Sequence, residues 1–255
     1  MRGLGEVAER LRRSTAQIFA GDRGSGSGVV WSAGGLVVTN AHVARTPEVT
    51  VELWDGRRVP GQVLARDPRR DLASVRIAAT GLEPARAGDS ESVRPGEVVL
   101  AIGSPLGFAG ALSTGVVHSV GQLAGMGKQR WIRADVRLAP GNSGGPLADS
   151  EGRVVGINTA IIHGLGVAAP SSGIAALLRR RSLGVTLQAA PQGLAILAVD
   201  PDGAAARSSL QAGDVLLCSA DDLADALESD EDVLRLRFVR GARIREVAVA
   251  ALAPA

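Results

Sequence analysis

The order of apolar and polar positions divides the chain into two β-rich regions. Leu4, Val7 and Leu11 recur at helical spacing, which predicts a short amphipathic helix over residues 3–13. Short β-rich runs then alternate with glycine-rich turns, a pattern typical of an all-β barrel or sandwich rather than of βαβ units. The predicted strands of this first region are 29–31, 36–39, 49–53, 59–65, 72–77, 97–102, 113–120, 131–136 and 153–158.

The pattern changes after Pro170. Residues 171–181 predict a helix with a serine N-cap and a basic last turn, which closes the first region. The second region has predicted strands at 184–187, 194–199, 214–217, 233–239 and 244–252, and a helix at 221–227. We therefore expect one domain over residues 1–181 and a small α+β domain over residues 182–255.

Composition narrows the class of protein. The chain has 255 residues, of which 45% are hydrophobic and 21% charged, and these are ordinary globular values. No apolar run approaches the roughly 20 residues of a membrane-spanning helix, so we expect no membrane span. The single cysteine, Cys218, excludes an internal disulfide and a cysteine zinc cluster. A net charge of +2 with scattered basic residues, and only three Trp and three Phe, argues against a nucleic-acid partner.

The N-terminal residues bear on location. The first ten residues lack the apolar core of a secretory signal peptide. We therefore expect a cytoplasmic protein, with the cell envelope as the alternative if the N-terminus has been trimmed from a longer precursor.

One glycine-rich segment carries a candidate nucleophile. In Ala139-Pro-Gly-Asn-Ser-Gly-Gly-Pro-Leu147, glycines on both sides of Ser143 leave its hydroxyl uncrowded and permit a tight loop. Such a loop can direct the amides of Gly141 and Ser143 at one point, as an oxyanion hole requires. We assign this hole to Gly141, Asn142 and Ser143.

The same segment also satisfies the G-x-S-x-G elbow of α/β-hydrolases. That elbow needs a helix directly after the serine, with the acid and then the histidine further downstream. Pro146 follows instead, and residues 151–158 predict a turn and a strand. The pattern does not support this alternative.

Three histidines are candidates for a general base. His42 lies where an apolar strand ends, and a rigid strand end is a good mount for a base. His118 lies within a predicted strand, and His163 lies in a short loop. We therefore favour His42.

An aspartate is needed to orient that histidine. Asp71 precedes an apolar strand, so its carboxylate can be buried against an imidazole and fix the tautomer. Asp67 is the main rival, and its structural alternative is to cap a Pro-led turn. Asp135 stands eight residues before Ser143, where we expect a structural role under the nucleophile loop.

Three motifs together resemble the HtrA-type (DegP-like) serine proteases. Thr39-Asn-Ala-His-Val43, Asp71-Leu-Ala73 and Gly141-Asn-Ser-Gly-Gly-Pro-Leu147 stand in the order and approximate spacing of that family, and the resemblance covers about residues 14–180. It implies a mainly β fold, a chymotrypsin-like double β-barrel, with His42 as base, Asp71 as its orienting acid and Ser143 as nucleophile. No metal or cofactor is implied.

The resemblance also implies a function. It indicates an ATP-independent serine endopeptidase that cleaves unfolded or damaged polypeptides in protein quality control. The alternative is a proteolytically silent, chaperone-like or peptide-binding scaffold, although the presence of all three triad residues argues against it. Family members commonly form trimers through the N-terminal segment, so residues 4–19 are a candidate contact for a homotrimer, unless this segment packs on its own barrel.

Substrate selection depends on the residues before the nucleophile. By resemblance, Leu138 lines the primary pocket and Ile162 its far wall, which favours a small or medium apolar side chain on the acyl side of the cut. Arg137 departs from the small residue usual in the family. Facing the pocket, it would favour acidic groups or block entry; facing solvent, it would have no effect.

Residues 182–255 resemble a bacterial-type PDZ domain. By this resemblance, the carboxylate-binding loop consists of Ser182, Leu183, Gly184 and Val185, and it would hold a peptide C-terminus. Ser208-Ser-Leu210 replaces the usual Ala-Gly-Leu of such domains. The alternative is a compact β-rich module that binds no peptide.

Overall fold

The computed structural model describes residues 3–21, 25–104, 110–127, 129–179, 182–229 and 231–250. The chain divides into two compact units, Met1–Leu177 and Leu178–Ala255. Each unit is described by itself below.

The first unit begins with a helix and a closed six-stranded barrel. Its elements are α1 (Leu4–Arg13), β1 (Thr15–Phe19), β2 (Ser25–Val30), β3 (Leu36–Thr39), β4 (Glu48–Glu52), β5 (Arg58–Asp67) and β6 (Leu72–Ile77). The strands close in the order β1-β2-β3-β6-β5-β4. Small and β-branched side chains fill the interior, among them the fully buried Ile18, Val37, Val51 and Val75.

A second sheet also closes on itself. It contains β7 (Arg86–Ala87), β8 (Val98–Gly103), β9 (Ala111–Gln122), β10 (Arg130–Ala134), β11 (Pro146–Asp149), β12 (Arg153–Ile162) and β13 (Leu165–Pro170), followed by α2 (Ser171–Arg179). The order is β11-β8-β9-β10-β13-β12-β7, and a further β11–β12 pairing closes six of these strands into a barrel. This arrangement confirms the predicted mainly β double barrel.

The N-terminal helix packs on these barrels. Val7 and Leu11 are 3% and 2% exposed, and α1 contacts β1 and β8. The guanidinium groups of Arg12 and Arg13 lie 5.3 and 5.0 Å from the ring centroid of Trp54, within cation–π range. This chain therefore shows the alternative in which the N-terminal segment packs on its own barrel, with β1 as a barrel strand.

The same helix carries a small charge network. Hydrogen bonds from Arg12 and then from Arg13 lower the pKa of Glu9 to about 2. The pairs lie three and four residues apart, as helix geometry requires.

The second unit is a five-stranded sheet with two helices. Its elements are β14 (Val185–Ala190), β15 (Gly193–Val199), α3 (Ala204–Arg207), β16 (Val215–Leu216), α4 (Ala220–Glu228), β17 (Leu234–Arg240) and β18 (Arg243–Val249), with strand order β14-β15-β16-β17-β18. Ser219 and Asp222 form a capping box at the start of α4, so the helix begins one residue before the predicted position.

Several predicted elements differ from the observed ones. The sequence pattern missed β1, β7, β11 and β13. Of these, β7 and β11 are short and β13 is rich in Ala and Gly, so they lack a strong apolar alternation, whereas β1 was overlooked directly after the helix. The helix predicted at 171–181 is observed as Ser171–Arg179, and Arg180 and Arg181 lie outside the described residues. The Ser171 hydroxyl donates to the Gly88 carbonyl (2.8 Å), so it ties α2 to the loop after β7 rather than capping its own helix.

A buried ion pair stabilises the second unit. Asp214 is 1% exposed and accepts two 2.7 Å hydrogen bonds from Arg240 and one from the N–H of Gln211. Burial by itself raises the pKa of Asp214, but the bonds from Arg240 and Gln211 outweigh it, and the pKa lies below its ordinary value.

We predict that Asp214→Asn lowers the free energy of unfolding of this unit by about 3 kcal/mol at pH 7, because it leaves Arg240 without its carboxylate partner. A carboxyl group whose pKa is lowered in the folded state stabilises the fold at pH values above its unfolded-state pKa of about 3.9. This stabilisation is lost as the pH falls through the folded-state pKa. The difference in the free energy of unfolding between Asp214→Asn and the native protein should therefore narrow below about pH 4.

Hydrogen exchange of peptides covering β17 is the suitable measurement, because Trp31, Trp54 and Trp131 all lie in the first unit and their fluorescence does not report on the second. Asp202→Asn, at an exposed position, is the control. Native protection of β17 in Asp214→Asn at pH 7 would contradict the prediction.

Candidate active site

Strand pairing brings His42 and Asp71 together. His42 lies in the turn after β3, Asp71 lies directly before β6, and these antiparallel strands pair Thr39 with Ala73. Asp71 Oδ2 is 2.7 Å from His42 Nδ1, and Asp71 Oδ1 accepts the His42 backbone N–H at 3.0 Å. The carboxylate therefore holds both the ring and the backbone of the histidine, which leaves Nε2 as the nitrogen that can act as a base.

Asn40 holds the acid in place from the other side. Asp71 has a φ of +51°, a left-handed conformation that Asp tolerates better than most residues. The Asn40 Nδ2 group donates to the Asp71 carbonyl (2.7 Å) and to Thr159 Oγ1 (2.9 Å). Its Oδ1 atom is buried and has no hydrogen-bond partner among the described residues. We infer that this fully buried amide stabilises the site through its two donor bonds, which link the first barrel to β12.

Asp67 caps a turn, which is the structural alternative that the sequence left open for it. Its side chain is 1% exposed, and Oδ1 accepts the N–H groups of Arg69 (3.0 Å) and Arg70 (3.3 Å). Oδ2 also pairs with Arg70 Nη1 at 2.7 Å. Asp67 therefore caps the turn that leads to Asp71, and its carboxylate is fully engaged there.

The nucleophile loop joins β10 to β11 and belongs to the second barrel. Ser143 Oγ donates to the Thr159 carbonyl at 3.1 Å, and no hydrogen bond joins it to His42 among the described residues. For His42 to take its proton, the hydroxyl must exchange Thr159 for His42 Nε2, and such catalytic bonds often form only with substrate bound.

Two amides of this loop are left for an oxyanion. Within the described parts of the chain, the N–H groups of Gly141 and Ser143 have no hydrogen-bond partner, whereas the N–H of Asn142 donates to the Ala139 carbonyl at 3.0 Å. The predicted contribution of Asn142 to the hole is therefore wrong, because its amide is used within the loop.

Position 144 requires glycine for two reasons, its left-handed backbone conformation and its close contact with neighbouring atoms. Its φ is +89°, and a Cβ there would lie 2.0 Å from the Ser27 carbonyl oxygen and 2.3 Å from Thr39 Oγ1. No side chain fits at this position, so the residue after Ser143 must be glycine.

The other predicted candidates lie apart from this arrangement. His118 is exposed on β9, with Nδ1 3.5 Å from Ser119 Oγ, and His163 is exposed in the β12–β13 turn with a φ of +51°. Neither has an acidic partner within the described ranges. Asp135 is exposed, so the structural role expected for its side chain under the nucleophile loop is wrong.

The residues around Leu138 define the candidate pocket. A Cβ at Gly166 would lie 2.6 Å from Val136 Cγ2 and 3.0 Å from Leu138 Cδ1, so Val136 and Leu138 together cover this face of β13. Gly166 pairs with Ile161, and directly opposite residues share a face, whereas Ile162 pairs with Leu165 and points to the other face. The register therefore corrects the assignment of Ile162 to the pocket wall and places Ile161 there.

Arg137 faces solvent. It is exposed, its N–H donates to Ser113 Oγ at 2.8 Å, and its side chain has no hydrogen bond or ion pair among the described residues. Of the two interpretations of Arg137, the structure favours the one in which it does not shape the pocket.

The predicted carboxylate-binding loop of the second unit is partly engaged. Ser182 Oγ accepts the Gly184 N–H at 3.0 Å, and the carbonyl of the buried Leu183 accepts the Ala205 N–H at 2.8 Å. Val185 begins β14, which forms one edge of the sheet. The loop carbonyl of Leu183 therefore points inward, and one of the loop's amides is already used.

A family model described as a trypsin-like peptidase domain matches residues 26–157. This segment is half of the chain and contains His42, Asp71 and Ser143. The chain belongs to the trypsin-like peptidase family.

Known relatives of this trypsin-like domain are bacterial proteases. A probable periplasmic serine endoprotease DegP-like from Halomonas elongata is 36% identical over 224 residues, which are 76% of this chain and 47% of the relative. A protein of the same name from Pseudomonas fulva is 37% identical over 221 residues, which are 75% and 46% of the two chains. The chain thus spans about half the length of these curated relatives.

A solved structure described as HtrA-type protease AlgW with tripeptide also matches. Its TM-score is 0.68 at 28% identity, and the match covers 100% of this chain and 99% of that one. The chain is therefore similar to DegP- and HtrA-type serine proteases in both sequence and fold.

The expected cytoplasmic location is wrong. The relatives from H. elongata and P. fulva are named periplasmic endoproteases, which points to the cell envelope rather than to the cytoplasm. No helix in the described part of the chain has the length and apolar character to cross a bilayer.

Two aspartate variants separate the orienting acid from the turn cap. We predict that Asp71→Asn lowers kcat for a cleaved peptide by about 10⁴-fold with little loss of stability, because the amide favours the wrong imidazole tautomer. Asp67→Asn should lower the free energy of unfolding by about 3 kcal/mol, since Arg70 loses its buried partner, and should keep kcat within about tenfold.

Peptide cleavage and urea unfolding monitored by Trp fluorescence measure both quantities on the same samples. The assignment fails if Asp67→Asn loses more activity than Asp71→Asn while still folded.

Proposed function

We propose that this chain is an ATP-independent serine endopeptidase that cleaves unfolded or damaged polypeptides in protein quality control. The observation that carries the proposal is that the Asp71 carboxylate bonds to both the ring and the backbone N–H of His42, at 2.7 and 3.0 Å. The same fold carries Ser143 in a loop where, among the described residues, the N–H groups of Gly141 and Ser143 have no hydrogen-bond partner. The DegP-like and HtrA-type relatives support the same activity.

The reaction follows from these groups. His42 takes the proton of Ser143 as the hydroxyl attacks the scissile carbonyl, and the N–H groups of Gly141 and Ser143 stabilise the tetrahedral oxyanion. Asp71 stabilises the imidazolium that forms. His42 then protonates the leaving amine, and water hydrolyses the acyl-enzyme by the same route in reverse. These side chains and water are sufficient, so the step consumes no ATP.

The candidate pocket favours apolar residues on the acyl side of the cut. Leu138 and Ile161 are aliphatic, and Gly166 contributes no side chain between them. Exposure of Ile161 (51%) leaves apolar surface for a substrate side chain to cover. A small or medium aliphatic residue fits this chemistry.

The second unit is proposed as a PDZ-like domain over residues 182–255, after a protease domain over residues 1–181. The open edge of β14 supports this proposal, because a C-terminal peptide can add there as a further strand. The family resemblance also suggests a homotrimer. Because one face of α1 is buried against its own barrels, the contacts between subunits would have to use other surfaces.

A fluorophosphonate probe tests the activity. We predict that the native protein is labelled at Ser143 and that Ser143→Ala is not, because the probe reacts only with an activated serine held beside a base. Mass spectrometry of the labelled peptide measures the site.

Ser150→Ala, at an exposed serine seven residues away, is the matched control and should label like the native protein. Absence of labelling in folded native protein, both with and without added C-terminal peptides, would support the silent scaffold instead.

A peptide series tests the pocket. We predict that peptides with Ala, Val or Leu on the acyl side are cleaved with at least about tenfold higher kcat/KM than those with Asp or Lys, since a charged group would be desolvated against Leu138. Arg137→Ala should leave this ranking unchanged because Arg137 faces solvent.

Leu138→Ala should reduce cleavage of the Leu peptide more than that of the Ala peptide, because it removes apolar surface that the longer side chain would cover. An acidic preference in the native protein that disappears in Arg137→Ala would contradict this account.

A further inference from the structure

Ser27 lies on β2 in the first barrel but contacts the nucleophile loop of the second. Its side chain is fully buried, with 0% exposure. The backbone N–H of Ser27 donates to the Ser143 carbonyl at 2.7 Å, and Ser27 Oγ donates to the Gly141 carbonyl at 2.7 Å. One residue therefore bonds to the carbonyls on both sides of Asn142.

The direction of the hydroxyl bond is fixed by its neighbours. The N–H of Ser104 donates to Ser27 Oγ at 2.9 Å. A hydroxyl group has a single proton, so with Ser104 occupying an acceptor position that proton is the donor to Gly141. Thr39 Oγ1 donates to the Ser27 carbonyl at 2.6 Å and fixes the strand behind it.

These bonds set the orientation of consecutive peptide groups. The Asn142 carbonyl accepts the Gly145 N–H at 3.0 Å, so the carbonyls of Gly141, Asn142 and Ser143 are all held inside the protein. Because N–H and C=O point in opposite directions in a trans peptide, the Ser143 N–H is turned the other way.

Gly141 has a backbone conformation that favours glycine. Its φ is +106°, and a glycine can rotate to other conformations at little steric cost. Its carbonyl accepts a hydrogen bond only from Ser27 Oγ among the described residues. The N–H of the same peptide group, that of Asn142, donates to the Ala139 carbonyl at 3.0 Å, so the group next to the Gly141 donor is held at both ends. Loss of the Ser27 bond removes one of these two restraints.

We propose that Ser27 is a positioning residue that holds the oxyanion loop in its competent conformation, a role that rests on the proposed peptidase function. Ser27 acts through Gly141 and does not touch the substrate. Its effect should therefore appear in the transition state rather than in substrate binding.

Ser27→Ala tests this role because it removes only the hydroxyl and keeps the backbone bonds to Ser143 and Thr39. We expect kcat for an apolar peptide to fall about 30-fold with KM within about twofold, a smaller loss than removal of a whole oxyanion donor. Ser27→Cys keeps a group of similar size and a weak donor, so its kcat should lie between those of Ala and native.

Ser90→Ala is the matched control. Ser90 is also buried (3% exposed) and accepts a backbone N–H, that of Ser172 at 3.1 Å, but it does not contact the nucleophile loop. It should change stability without changing kcat by more than about twofold. Fluorophosphonate titration of reactive sites and circular dichroism normalise each sample for folded protein.

The outcomes separate the two proposals. A native protein that neither cleaves peptide nor labels refutes the peptidase function itself. An active native protein with Ser27→Ala within twofold in kcat, or with a raised KM at unchanged kcat, overturns the role of Ser27. If Ser27→Ala does not fold, Ser27→Cys decides: a loss of at least about fivefold in kcat at unchanged KM supports the role, and native kcat overturns it.

Discussion

The candidate site depends on hydrogen bonds that cross from one barrel to the other. His42 and Asp71 belong to the first barrel and Ser143 to the second, so neither barrel alone can form the triad. Asn40 crosses to Thr159, and Ser27 crosses to the loop around Ser143. Both crossing residues are fully buried, where a lost hydrogen bond is costly. Interactions that water does not replace therefore connect the His42–Asp71 pair of the first barrel and the nucleophile loop of the second.

This arrangement explains why small and polar residues surround the triad. Gly144 approaches the Ser27 carbonyl so closely that any side chain would clash. The buried Oδ1 of Asn40 has no hydrogen-bond partner in the described part of the chain, so only the donor group of this amide contributes hydrogen bonds there. Positions such as Gly144 and Asn40 contribute less to stability than well-packed apolar residues would, and proteins accept this cost where a functional site needs a particular geometry. The barrels supply that stability through cores of β-branched and aliphatic side chains.

The sequence alone predicts the triad because each member lies in a short motif next to a strand end. The apolar runs predict both β3 and β6, but their pairing, which brings His42 and Asp71 together, is seen only in the structure. Residue type does not show which way a peptide group points, so the engagement of the Asn142 amide could not be predicted. Ser27 was missed for a different reason, since its partner Gly141 lies 114 residues further along the chain. Ile161 could have been found, because the two-residue His163-Gly164 turn sets the hairpin register.

A crystal structure of the native protein with a peptide boronate bound to Ser143 tests the central claim most directly. The account predicts a tetrahedral adduct with one boronate oxygen about 3 Å from the nitrogen atoms of both Gly141 and Ser143. It also predicts that His42 remains bonded to Asp71 and that Ser27 Oγ remains bonded to the Gly141 carbonyl. An adduct whose oxygen meets neither amide, or a Gly141 carbonyl turned away from Ser27 towards the ligand, would contradict the claim that the bonds between the barrels hold a competent site.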